Sequence, residues 1–566
     1  MDNHSDRQVG ARFVTKFDEI PGFWNYLHGL DRNDLIAELI QNDLDQGATR
    51  TVISFDRTAL ICEGNGEPVD QEGWQRLQTI LGAGDRVPRK RSKFGVKNHG
   101  LKAAFTIGDD LRLMSAGQTI VQTLHANGRD KPPYPGASEH PMEDPQAPTQ
   151  GCRVIVPYRN ANLETTQGEA IKLDTVGLDE IAKLFESACA GLPEQFAGIV
   201  SPEVIPRYDI VLRHWQLGEA RFCFSCTRPR KAPKRMEVFQ RRCAVTGTCS
   251  PLPKPLRERA VRRLVPLKGI LKERVADFFR RGRRFFIEVS WPIGAKGKPR
   301  TGTGRYRYPL GYPANSREAR TGHSTHFNAP FASDNRRHAP AWNEATNTEL
   351  REACKSLLID AVAYQAVPRW KSDGLNPIVP SADANDGSEV VRALLATLVT
   401  RVALPVLNWR QAAELATRGK AQAVKSAARH RAAPPFPSDE RRYRFVVPAL
   451  TWSEGAVEPL LSLLSPPSEV QLDPRTHPGI VSLLADGETP GFAEEFVTFD
   501  ENAVIDRVTS KENRYFGAIG DRKREFSHPF IVRVYLDLIE LALDRGRLTT
   551  VEEDHLLSTL LLPDVN

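Results

Sequence analysis

The sequence predicts an α/β architecture over its first two thirds, followed by a mainly helical C-terminal region. Segments with apolar residues at helical spacing alternate with short extended runs through the first 160 residues, and strand-like patterns fill roughly 200–335. From about residue 375 onward helical patterns dominate, interrupted by Pro434-Pro435 and Ser465-Pro-Pro-Ser468. The 566 residues suffice for about three to five domains. With 40% hydrophobic and 26% charged residues the composition is that of a globular protein.

In chain order, residues 1–30 show no clear period. Asn33 to Gly47 reads as a helix, Thr51 to Phe55 as a strand, and Ala59 to Cys62 as an apolar stretch entering the turn Glu63-Gly-Asn-Gly66. Gly100 to Ile107 reads as helix, Asp110 to Ser115 and Arg153 to Pro157 as strands, with a Pro/Gly/Asp-rich loop over 127–151 between them. Arg284 to Trp291 is extended, and a further helix starts near Thr348. Val391 to Trp409, the best candidate for a membrane span, is broken by Arg401, and MDNHSDRQVG lacks the apolar core of a signal peptide. These features predict a cytoplasmic protein with no membrane partner, whose eight cysteines are reduced thiols or metal ligands.

The net charge of +7 is unevenly spread. Arg221 to Arg307 holds 25 Lys/Arg against five acidic residues, so this segment carries +20 and the remainder −13. One basic block on an acidic body predicts a surface for nucleic acid. It contains Cys223-Phe-Ser-Cys226, Cys243 and Cys249. Their spacing fits a tetrahedral zinc site that would staple the insertion, and fits equally a strand carrying reduced core thiols. His323, His326 and His338 lack metal-ligand spacing.

Four elements in the first 160 residues carry the chemistry. On a helix Glu38 and Asn42 lie one turn apart on one face, with Asp45 close behind. A carboxylate there can orient a water for attack on a phosphate, and an Asn carbonyl suits Mg²⁺. Cys62-Glu63-Gly64-Asn65-Gly66 is a glycine turn directly after a strand. Gly82 and Gly84, then Arg86, Arg89, Lys90, Arg91 and Lys93, lead into Gly95-Val-Lys-Asn98-His-Gly100-Leu101-Lys102. Such a cationic glycine-rich loop at a helix start suits phosphate. Gly151-Cys152 opens a strand that could close a pocket, and no GxxxxGK[ST] occurs, which excludes an ordinary P-loop.

Together these elements resemble the Bergerat-fold ATPases, the GHKL group of gyrase, the ninety-kilodalton heat-shock chaperones, histidine kinases and MutL. In that likeness Glu38 is the catalytic base, Asn42 the magnesium ligand, Cys62 to Gly66 the DxGxG box and Gly95 to Gly100 the GxxGxG box closing the ATP lid. The run Asn98 to Lys102, with Thr106-Ile-Gly-Asp109 and a strand behind it, is most similar to MORC proteins. The sequence departs from the pattern where Asn98 replaces the middle lid glycine. It departs again where the adenine-reading Asp falls on Cys62 and its partner Thr on Cys152; Glu63, one residue along, is the substitute the alignment offers.

The resemblance implies an ATP-binding α/β sandwich over 1–195 and a transducer-like α/β domain over 196–370 with its basic insertion at about 221–285. A mainly helical domain over 371–566 follows. The transducer returns a cation to the γ-phosphate, and Lys296 and Lys298, in a glycine-rich loop, are the local candidates. The resemblance further implies ATP and Mg²⁺ as cofactors, an ATP-dependent homodimer, and a setting in DNA repair or antiviral defence against foreign DNA. A chaperone-like clamp on protein clients, or a non-hydrolysing nucleotide-sensing subunit of an effector encoded elsewhere, are the alternatives.

Overall fold

The computed structural model describes residues 32–165, 171–229, 236–265, 286–333, 339–381 and 390–397, apart from 72, 75–99, 125–134, 138–140, 309, 312–315 and 396. Beyond these it describes 406–407, 443–446, 470–472, 477–485 and 496–499. The chain divides into two compact units, the first running to Leu357 without 295–303 and 322–324, the second holding those segments and the rest.

The first unit begins with helix α1 (Arg32–Asp45) and strands β1 (Arg50–Phe55) and β2 (Ala59–Gly64). After the 3₁₀ helix Gly100–Thr106 come β3 (Asp110–Ser115), β4 (Gln118–Leu124), β5 (Pro135–Ala137), β6 (Met142–Glu143) and β7 (Cys152–Pro157). A ribbon of β8 (Leu163–Thr165) and β9 (Ile171–Leu173) leads to helix α2 (Leu178–Gln195). Then follow β10 (Arg207–His214), β11 (Gly218–Thr227), β12 (Glu237–Gly247), β13 (Leu256–Leu264) and β14 (Phe286–Pro292). Short strands β15 (Tyr306–Tyr308), β16 (Leu310–Gly311) and β17 (His326–Asn328) precede helix α3 (Ala345–Ala361).

Among the described residues fifteen strands form one mixed sheet, ordered β16-β15-β17-β14-β13-β12-β11-β10-β1-β2-β7-β3-β4-β5, with β6 paired to β4. The overall class is therefore α/β, as the alternating patterns predict. The pairing of β1 with β10 is parallel, Thr51 opposite Ile210, so the sheet runs unbroken across the point near 195 where a domain boundary was expected.

Helix α1 forms because Leu35, Ile36, Leu39, Ile40 and Leu44 recur at helical spacing, and all five are buried. It stops at Gly47, whose φ of +73° places it in the left-handed region that a helix C-terminus favours. On the sheet, Thr51, Ile53 and Phe55 of β1 alternate inward, in register with Gly64, Cys62 and Leu60 of β2. Helix α2 buries Ile181, Leu184, Phe185, Cys189 and Leu192, and Arg32 of α1 pairs with its Glu180 at 2.9 Å. Arg159 is buried and donates to Asp109, Phe105 O and Gly108 O, which fixes the exit of the 3₁₀ helix against the end of β7.

In the second unit, helices are joined by a small sheet. Among the described residues four short strands, β18 (Val406–Leu407), β19 (Tyr443–Val446), β20 (Val470–Leu472) and β21 (Phe496–Phe499), form a second sheet ordered β18-β20-β19-β21. Helices are present there too, including Val367–Trp370 and Pro478–Ala485. Among the described residues no helix is long and apolar enough to cross a membrane.

Candidate functional site

Helix α1 and the inward faces of β1, β2, β7 and β10 meet at a buried polar cluster. Its centre is Asp43, 6% exposed and between Asn42 and Leu44 in the last turns of α1. Thr51 Oγ1 donates to Asp43 Oδ2 at 2.7 Å, and Cys62 Sγ donates to the same oxygen at 3.8 Å. Tyr208 Oη on β10 lies 2.5 Å from Thr51 Oγ1. Burial pushes the Asp43 carboxyl up to about 7, against the opposing pull of the Thr51 and Cys62 hydrogen bonds. Burial and the neighbouring Asp43 likewise push the Cys62 and Cys152 thiols up, so both stay protonated.

The glycines make room for this cluster. A Cβ on Gly64 would come within 2.3 Å of the Asp43 carboxyl carbon, so the absent side chain is the space that the carboxyl fills. Gly151, at φ +76°, passes so close to Gly64 O that a Cβ there would stand 2.1 Å from it. Asn65 Oδ1 accepts from Thr49 N and Arg50 N at 2.9 Å each, and Glu67 N donates to Gln46 O at 2.7 Å. The glycine turn is thereby fastened to the connection between α1 and β1.

Of the residues expected at the site, Glu38 and Asn42 are half-buried and one turn apart on α1, and Asp45 is buried in its last turn. The Asn42 side-chain nitrogen is buried and has no hydrogen-bond partner among the described residues. The Asn42 side-chain oxygen is a hard donor of the kind that suits Mg²⁺. Cys62, Gly64 and Cys152 share one face, since Gly64 pairs with Cys152 and Cys62 with Val154 across β2 and β7. Gly66 packs against the backbone of Gln46 and Ala48. Gly100 opens the 3₁₀ helix, and Leu101 packs on the core. Lys102 is buried, its Nζ donates to Gln122 Oε1, and desolvation lowers it to about 7. Gly82, Gly84, Gly95 and Asn98 lie outside the described residues.

Three expectations need correction. Glu63 does not stand in for an aspartate at position 62: it faces away from Cys62 and pairs with Arg153 Nε at 2.7 Å. Successive strand residues point to opposite sides of a sheet, so no shift of one residue can exchange them.

The four cysteines do not converge on a zinc ion. Cys223 and Cys226 lie in β11, where residues three apart face opposite sides. Cys226 Sγ lies against Pro206 O, and Cys249 Sγ is 3.6 Å from Cys189 Sγ. Burial pushes Cys226 up to about 11 and Cys243 to about 12. Among the described residues no three His, Cys, Asp or Glu side chains form a group that could hold a metal.

The basic block, finally, is only in part a surface. Arg241, Arg259, Arg262, Arg305 and Arg307 are buried, and Arg241 pairs with Glu288, Arg262 with Glu203 and Glu237, and Arg307 with Glu258. Residues 266–285 lie outside the described residues. Lys296 is exposed, and Lys298 pairs with Asp373 at 2.7 Å within the second unit.

No protein-family model matches the chain. No curated protein matches it. Among solved structures the chain is similar to one described as the crystal structure of the N-terminal domain of a DNA repair protein. That match has 10% identity and a TM-score of 0.23, over 40% of this chain and 72% of that one. A likeness at that level carries no argument.

Proposed function

We propose that this chain is a GHKL-type ATPase that binds Mg-ATP where α1 crosses β1, β2 and β7, and that it changes conformation or dimerises on binding. The observation that carries the reading is the placement of α1. The helix lays Asp43 against the Gly64 turn while its half-buried Glu38 and Asn42 stay one turn apart. Asn42 would hold Mg²⁺, which neutralises phosphate charge, and Glu38 would orient the attacking water.

Titration with Mg-ATP should give saturable binding that EDTA weakens. Asn42→Ala, which removes a metal ligand, should lower the Mg-dependent affinity by about ten-fold or more. Failure of the wild-type chain to bind any nucleoside triphosphate would remove the reading.

The proposal extends to action on nucleic acid. Arg242 of β12 and Arg257 of β13 are exposed and stand directly opposite each other. Like charges so placed repel unless an anion lies beside them. Reversing both to Glu should flatten the dependence of log affinity on log salt by about one to two, since each phosphate contact contributes about 0.7–0.9. Gel shifts over a salt series measure this, and an unchanged slope would place the contact elsewhere.

A further inference from the structure

Asp43 is a buried carboxyl that the hydrolytic proposal does not use, and its two oxygens differ. Oδ2 accepts from both Thr51 Oγ1 and Cys62 Sγ, whereas Oδ1 accepts no hydrogen bond among the described residues. Thr51 has one hydroxyl proton and gives it to Asp43, so the Tyr208 hydroxyl donates to Thr51. The relay Tyr208 to Thr51 to Asp43 therefore runs in one direction and fixes which oxygen faces the protein. A ligand that supplies a donor to Oδ1 adds a charge-assisted hydrogen bond that the described residues leave unmade.

We infer that Asp43 Oδ1 is the group that reads the exocyclic amine of the nucleotide base, delivered from helix α1 where the strand position, Cys62, holds only a thiol. The inference rests on the nucleotide-binding reading above and adds to it the residue that selects adenine. A thiol is a poor acceptor for an amine, and Glu63 faces the other side of the sheet. Cys62 and Gly64 are then the partners of Asp43: one donates to its inner oxygen, the other leaves the space it occupies.

The test compares ATP with inosine triphosphate, which carries a 6-oxo acceptor where ATP carries the 6-amine. Binding is measured with Mg²⁺ at pH 8.5, where both oxygens of Asp43 are acceptors. Wild type should favour ATP by about ten-fold or more, the scale of one mispaired buried polar contact. In Asp43→Asn the amide oxygen stays on Thr51 and Cys62, which turns the NH₂ toward the base and presents a donor. The preference should then invert in favour of inosine triphosphate. A merely structural role would weaken both nucleotides together and leave their ratio unchanged.

Mg-ATP binding with the same ratio in wild type and Asp43→Asn would overturn the inference and leave the nucleotide reading standing. If wild type binds neither nucleotide, that reading fails and takes the inference with it. Should Asp43→Asn fail to fold by circular dichroism, Asp43→Ala serves instead. It removes the acceptor and should bring the ratio toward one; an unchanged ratio there overturns the inference equally.

Discussion

Replacing Glu38 with alanine should lower ATP turnover by about 10²–10⁴-fold, the span of a positioned acid–base group, and leave Mg-ATP affinity close to that of wild type. The asymmetry follows from the two roles proposed on α1. In that proposal Asn42 holds the metal, so its loss should appear in affinity. Glu38 is proposed to act on the water rather than on the nucleotide, so its loss should appear in kcat. Glu38→Gln keeps the shape and removes the charge, and should resemble alanine in turnover. Steady-state phosphate release together with equilibrium nucleotide binding separates the two terms. Wild-type turnover in Glu38→Ala would remove the assignment of α1 as the hydrolytic helix and leave a nucleotide-sensing subunit as the better reading.

The elements that the sequence made legible are those with a strong local period. Asn33 to Gly47 reads as a helix and forms one over Arg32–Asp45; the runs at 51–55, 110–115 and 153–157 lie in β1, β3 and β7. Helix α2 is signalled as well, since Ile181, Leu184, Phe185 and Leu192 carry helical spacing and Glu180 Oε2 accepts from Gly177 N at its start. Asp43 could not be found from pattern alone. An acidic residue between Asn42 and Leu44 looks solvated, and only the β1 and β10 side chains, 8 and 165 positions away, show that it is not.

The arginines mislead in a related way. A count of charge cannot separate Arg241 from Arg242, yet strand alternation sends the first into the core against Glu288 and the second to the surface. The same alternation divides Cys223 from Cys226, where the spacing of the cysteines had suggested a metal. In both cases the governing period is that of the strand, which the motif does not encode.

The largest effect on stability is expected at Glu258. This carboxylate is fully buried in β13 and accepts both Arg307 Nη groups at 2.9 Å and Ser290 Oγ at 3.2 Å, while His326 Nε2 stands 3.6 Å away, so four strands meet at one charge. Burial alone would push its pKa up; Arg307 above all, then His326 and Arg241, reverse this and hold it at about 2, below the usual 4.5. Burial and Arg307 together depress His326 to about 3, so it is neutral near pH 7.

Glu258→Gln would leave the Arg307 guanidinium buried without its counter-charge, and should cost about 3–5 kcal/mol by denaturant unfolding at pH 7. Because the folded-state pKa lies below the unfolded one, the ionised carboxylate stabilises the fold fully above about pH 4.5. That contribution is lost as the pH falls through the folded value near 2. The stability gap between wild type and Glu258→Gln should therefore be constant above pH 5 and narrow steadily below it. Replacing both partners, Glu258→Leu with Arg307→Met, should recover most of the loss, since a paired buried charge contributes little net stability over a packed apolar pair. A gap that stays constant down to pH 3 would show that Glu258 acts through packing rather than through its charge.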